Sequence, residues 1–210
     1  GGFYRTSESD YSVYDTRSIG FSTGIGFPLG EQSSMSLRFG LAEDKIYNYT
    51  PSSGTGSPIL VAEADRGALT TFSLGYAYEY DNRITGLNPK GGVLLRFGQD
   101  FAGLGGDTEY IKTTALALAE TKVWNEEVTL RAIVEGGAIM SSGGNVTRVT
   151  DRFFGNGKIR GFEPNGIGPR DLGAADQDAL GGNMFAVARF EAEFPLGLPE
   201  EYGISGGAFI

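Results

Sequence analysis

The chain has 210 residues, with 34 Gly, 14 Phe and 10 Tyr but no Cys and no His, which excludes a disulfide framework, a thiolate nucleophile, a Ser-His-Asp triad and imidazole metal ligands. A formal net charge of −9 argues against nucleic acid as a partner, while 40% hydrophobic residues argue against disorder. No apolar run reaches the roughly 18 residues of a transmembrane helix, but a transmembrane β-barrel needs only one apolar face per strand.

Residues 1–8 read as the tail of a strand. From 18 to 27, Ile19, Phe21, Ile25 and Phe27 alternate with Ser18, Gly20, Ser22, Gly24 and Gly26. From 34 to 41, Met35, Leu37, Phe39 and Leu41 alternate with Ser34, Ser36, Arg38 and Gly40. Such alternation puts one set on each face of a strand, whereas a helix would turn Ile19 and Phe21 about 200° apart. Residues 68–80 continue with Phe72, Leu74, Tyr76, Tyr78 and Tyr80 against Ser73, Gly75, Ala77 and Glu79. Val93, Leu95, Phe97 and Phe101 alternate with Arg96, Gly98 and Asp100, with Leu94 out of phase. Residues 109–123 alternate less cleanly around Ala115, Ala117 and Ala119; 128–134 and 184–194 alternate again, and a last strand begins near Tyr202. The expected outer face carries Phe21, Leu37, Phe39, Phe72, Leu74, Leu130 and Phe190. The expected lumen face carries Arg38, Arg96, Arg131, Arg189 and Glu191.

The connections also alternate. Short ones are expected at Pro28-Leu29-Gly30, around Asn82 and Pro89, at Asn125-Glu126 and at Pro195-Leu196-Gly197. Longer ones are expected at 43–66, through Gly103-Leu104-Gly105-Gly106 read as a turn, and at 141–181. The two longest leave the same end of the sheet, the asymmetry of outer-membrane barrels with short periplasmic turns and long outside loops. A soluble up-and-down barrel or sandwich alternates equally well. Against it stand the long one-sided loops and a counter-face of Gly, Ser, Arg and Glu. Tyr76, Tyr78, Tyr80, Phe27 and Phe194 lie toward the short-turn end, where a membrane-interface girdle would sit.

The longest connection carries Phe153, Phe154, Gly155 and Gly157, then Ile159, Arg160, Gly161 and Phe162, then Gly168-Pro169-Arg170-Asp171. Exposing its Phe and Ile side chains would be unfavourable unless the loop folds onto something, and the lumen is the nearest place. Glu191, on the polar face of residues 184–194, is the expected wall partner of Arg160, because a confined guanidinium needs a charged, hydrogen-bonding partner and its planar fork suits a carboxylate. The carboxylates Glu43, Asp44, Asp107, Asp176 and Asp178 in outside loops suit either divalent-cation binding at a lipopolysaccharide surface or plain solvation.

Phe-Phe-Gly-Asn-Gly followed by Ile-Arg-Gly-Phe resembles the loop signature of BamA-type outer-membrane protein assembly factors, whose usual form is Val-Arg-Gly-Phe. The stretch at Gly166–Asp171 and the Gly181-Gly182-Asn183 entry into a strand ending Phe194-Pro195 fit as well. The resemblance implies an all-β, transmembrane, antiparallel up-and-down barrel, of which residues 1–210 supply about eight to nine of sixteen strands. The first four and the last three strands, and the seam between them, would lie elsewhere. It implies an inward-folding extracellular loop at about 141–181, no POTRA domain in this stretch, a multi-pass place in the cell outer membrane, no enzymatic activity and no cofactor. It also implies partners: outer-membrane lipid and lipopolysaccharide, unfolded outer-membrane protein clients and accessory assembly lipoproteins. The family's loop Arg meets acidic residues on the two following strands, and Glu191 matches the first. A polypeptide secretion transporter or pore shares the Arg-Gly-Phe/Tyr core and is the alternative. An outer-membrane enzyme would lack a His base and a Gly-x-Ser-x-Gly elbow, which leaves a carboxylate dyad open.

Overall fold

In the computed structural model, residues 1–7, 13–51, 56–84, 91–125, 127–142, 146–197 and 204–210 are described. Glu8, Pro89, Glu126 and Tyr202, assigned above to strand ends and turns, lie outside them. Among the described residues, nine strands form one antiparallel sheet in chain order. They are β1 (Gly2–Ser7), β2 (Asp15–Pro28), β3 (Ser33–Tyr47), β4 (Leu69–Asp81), β5 (Gly92–Gly106), β6 (Tyr110–Val123), β7 (Val128–Ser141), β8 (Met184–Pro195) and β9 (Ser205–Phe209). Strands β2 to β8 run 12 to 15 residues, more than the roughly 9–11 that a tilted strand needs to cross a bilayer.

Register fixes the two faces. Arg38 stands opposite Gly75, Gly75 opposite Asp100 and Asp100 opposite Lys112, so one cross-strand row runs over four strands. Residues 146–183 lie on this face, because the Lys112 ammonium donates to the Asp151 carbonyl at 2.8 Å. We call it the inner face. Phe21, Leu37, Leu74, Leu130 and Phe190 project from the other face and are exposed, while Phe39 and Phe72 there are half-buried. On the outer face a short chain of polar groups pairs internally: the Tyr76 hydroxyl donates to Gln99 at 2.7 Å, and Gln99 donates to Thr113 at 3.0 Å. In hydrocarbon, where water offers no alternative, such pairing is required.

Several boundaries differ from the sequence reading. The connection expected at 43–66 is shorter, because β3 continues through Glu43 and Asp44 to Tyr47, and it carries a helix, α1 (Pro58–Asp65). Ser57 caps α1 through its hydroxyl, and Pro58 opens it with a ring already set at a helical φ. Gly103-Leu104-Gly105-Gly106 is not a turn but the end of β5. Between Thr71 and Ser73 the partner on β5 moves from Gly106 to Ala102, which is a bulge. Gly106 has φ +90°, and a Cβ there would stand 2.5 Å from the Thr70 carbonyl oxygen, so the bulge needs glycine. The last strand starts at Ser205 rather than near 202. Leu94 is out of phase because it faces inward, in a row with Leu118 and Ile133.

A small apolar core lies between α1 and the long connection. Leu60, Val149 and Leu180 are buried there, with Tyr14, Tyr49 and Phe154 packed against them. The connection is closed at its base by two backbone hydrogen bonds between Phe153 and Gly182, at 2.9 and 2.8 Å.

Candidate functional site

The wall presented to the loop comes from β7 and β8. Their register sets Arg131 opposite Glu191, and Glu120 of β6 opposite Arg131. Arg131 bridges both carboxylates, at 2.7 Å to Glu120 and 3.2 Å to Glu191. One step along the same face, Arg189 reaches Glu135 at 3.1 Å. Opposite charges on neighbouring strands of one face stabilise the pairing and leave carboxylate oxygens free to accept from above.

The loop brings two cations to these carboxylates. Arg160 Nη2 stands 2.9 Å from Glu191 Oε1, and the guanidinium lies 4.7 Å from the centre of the Phe209 ring on β9. Lys158 Nζ stands 2.9 Å from Glu135 Oε2. Of these, sequence reasoning placed Arg131 and Arg189 on the inner face and paired Arg160 with Glu191; it missed Lys158, Glu135 and Phe209 as partners. The signal for Lys158 was present: it is a second cation two residues before Arg160, facing a wall with two carboxylates.

The motif residues divide into buried and exposed groups. Phe153 and Phe154 are half-buried: Phe153 packs against Phe185 of β8 with ring centres 4.8 Å apart and planes tilted at 53°, and Phe154 packs on the small core. Gly155 is half-buried against Ile167, and Gly157 has φ +72° in an exposed turn. Ile159, Gly161 and Phe162 are exposed, Phe162 at 60%. The expectation that the Phe and Ile side chains of the loop cover themselves therefore fails at Ile159, which is marginally exposed, and more fully at Phe162. It lies at the far end of the loop, beyond the reach of the core that holds Phe154. Arg160 is itself 56% exposed and Glu191 18%, which puts their pair nearer the solvated class, worth up to about 1 kcal/mol, than the buried class.

The base of the loop is held differently. Arg148, 4% exposed, meets Glu63 of α1 at 2.5 Å and donates to the Asp44 carbonyl at 3.3 Å. Asp178 is buried rather than solvated; it accepts from the Tyr49 hydroxyl at 2.8 Å and from the Ser57 amide at 3.2 Å. Asp171 accepts from the Ser57 hydroxyl at 2.5 Å, and Asp107 accepts from the Thr70 amide at 2.8 Å. Burial, reinforced by the Asp178 carboxylate, pushes the Tyr49 phenol up to about 12.

Asp151 is the titrating group of this base. Desolvation raises it to about 6 despite Arg148 and Lys112, with Asp44 and Glu63 adding repulsion. The folded value lies above the unfolded one, so the native loop binds the extra proton between about pH 4 and pH 6. Docking therefore weakens as pH rises through that window and is flat above it. Asp151→Asn should remove the slope and tighten docking at pH 7 by up to about 3 kcal/mol. Proteolysis of the loop at pH 4.5 and pH 7 measures it; equal slopes in the two proteins would refute the assignment.

The comparisons with known proteins follow this geometry. A family profile described as the Omp85 superfamily domain matches residues 2–210. The chain belongs to this superfamily. Among its relatives, the outer membrane protein assembly factor BamA of Neorickettsia risticii (strain Illinois) is 31% identical over 214 residues, covering 99% of this chain and 27% of the relative. The human sorting and assembly machinery component 50 homolog is 32% identical over 128 residues, covering 59% of this chain and 26% of the relative. The crystal structure of BamA from Haemophilus ducreyi lacking POTRA domains 1-3 superposes with a TM-score of 0.82 at 19% identity, covering 99% of this chain and 44% of that one. This Omp85 chain thus spans about a quarter of the length of the curated relatives it matches, and its sheet has the fold of an outer-membrane β-barrel.

Proposed function

We propose that this Omp85 chain is a wall portion of a protein that folds outer-membrane β-barrel proteins and inserts them into that membrane. The observation that carries the proposal is the loop signature at residues 153–162 docked on β7 and β8, with Arg160 on Glu191, in a chain that matches the Omp85 family from 2 to 210. The names of the BamA and component 50 relatives supply the activity class. The chain crosses the outer membrane several times, with residues 48–68 and 142–183 on the cell exterior and the turns at Pro28, Asn125 and Pro195 on the periplasmic side. Lipid and lipopolysaccharide contact its outer face and rim; its clients are unfolded outer-membrane proteins, and assembly lipoproteins assist the whole protein.

The mechanism needs no catalytic residue and no cofactor. Strand edges elsewhere in the whole barrel offer a template to an incoming strand by β-augmentation, and a thinned bilayer beside them lowers the work of insertion. The loop braces the wall while that edge opens. The test uses the full-length protein in liposomes with an unfolded barrel protein as client. Folding of the client should be faster than in empty liposomes, and Arg160→Ala should slow it about fivefold, the factor for a pair worth about 1 kcal/mol. No acceleration by the wild-type protein, with passage of a soluble polypeptide instead, would replace this reading by a secretion pore.

A further inference from the structure

We infer that Lys158, held by Glu135, is the positioning residue for Arg160. The inference rests on the bracing role proposed above and assigns part of that role to a residue outside the loop signature's Ile-Arg-Gly-Phe core. Arg160 cannot fix itself. Its side chain is more than half exposed, and Gly161 beside it has φ +86° with open space around its α-carbon. A pair so exposed, on a segment so permissive, contributes little alone.

Lys158 is held at both ends, its ammonium by the Glu135 carboxylate and its carbonyl by the Arg189 guanidinium. Its ammonium meets Glu135 Oε2 at 2.9 Å; Glu135 Oε1 holds Arg189 at 3.1 Å; and Arg189 Nη1 donates back to the Lys158 carbonyl at 3.1 Å. This closed ring fixes the main chain two residues before Arg160 as well as the lysine side chain. Beneath it the ammonium lies 4.4 Å from the centre of the Phe185 ring, which adds a cation–π contact. Phe185 and Phe153 pack, tilted against each other, directly over Gly137, where a Cβ would stand 2.7 Å and 2.8 Å from their ring atoms. The ring of charges therefore rests on a packed platform. Glu135 and Glu191 lie on the same face of neighbouring strands, so seating Lys158 on the first sets how far Arg160 stands from the second.

The chain contains no Cys but two tryptic sites at this point, after Lys158 and after Arg160, and cleavage at each reports how tightly the segment is held. The experiment measures the rate of tryptic cleavage of the Arg160–Gly161 bond in the full-length protein in liposomes, read by mass spectrometry. Lys158→Met should speed cleavage about fivefold, and Glu135→Gln at least as much, because it leaves Lys158 and Arg189 facing each other without a carboxylate. Combining them should give less than the sum, since both remove one interaction. Lys158→Arg, which keeps the charge, should cleave at that bond like the wild type. Lys158→Met lies in the loop and leaves the wall untouched, so it reads the effect even if Glu135→Gln folds poorly. An unchanged rate in Lys158→Met, or additive effects, would overturn the inference. Faster cleavage with undiminished client folding would support the positioning and count instead against the bracing function.

Discussion

Arg148→Ala should loosen α1 from the loop and lower the stability of the folded protein by about 3–5 kcal/mol, the range for breaking a buried ion pair. Arg148 and Glu63 are both nearly fully buried, and their contact joins residues 85 positions apart in sequence. Removing the guanidinium leaves the Glu63 carboxylate buried with a longer pair to Arg66, at 3.7 Å. It also frees the Asp44 carbonyl. Glu63→Gln should be milder, since an amide in the same place still accepts a hydrogen bond from Arg148. The paired replacement Arg148→Met with Glu63→Leu should recover most of the loss, because apolar residues of similar volume substitute for buried pairs without an unpaired charge. Unfolding of the full-length protein in lipid gives the numbers. A single-variant loss of less than about 1 kcal/mol would place the pair in the solvent-exposed class.

Leu37→Arg should lower the yield of folded protein in lipid far more than Ser36→Arg, although the two positions are adjacent. Leu37 projects from the outer face and is exposed there, and Ser36 lies on the inner face with Arg38. A guanidinium on the lipid side costs about 2–4 kcal/mol near mid-membrane, while one on the inner side stays hydrated. Equal yields of the two variants would reverse the assignment of faces to environments.

The strands were legible because a two-residue period survives wherever one face meets an apolar medium and the other a polar one. It failed where that asymmetry ends. Beyond Leu41 the inner face of β3 is covered by the loop, so Ile46 is buried inward while Glu43 and Lys45 point outward, and the strand was cut short. Helix α1 has eight residues, too few to hold a helix alone; tertiary contacts at Ser57 and Glu63 hold it. In the site, face assignment put Glu191 and Glu193 on the wall that Arg160 reaches, and the resemblance of the loop signature singled out Glu191. Lys158 offered a second cation, but its pairing with Glu135 in particular depends on the turn closed by the Lys158 amide on the Gly155 carbonyl at 3.0 Å.

The fastenings of the long loop are graded. At its base Arg148 is sealed from solvent, in the middle Lys158 is one-quarter exposed, and toward the tip Arg160 is more than half exposed. Dissolved ions screen the outer contacts and barely touch the inner one. Raising ionic strength therefore peels this segment from tip to root, like a strap whose buckle is at the hinge. A pull on Phe162 meets the weakest stitch first and can be released without undoing the seam at α1.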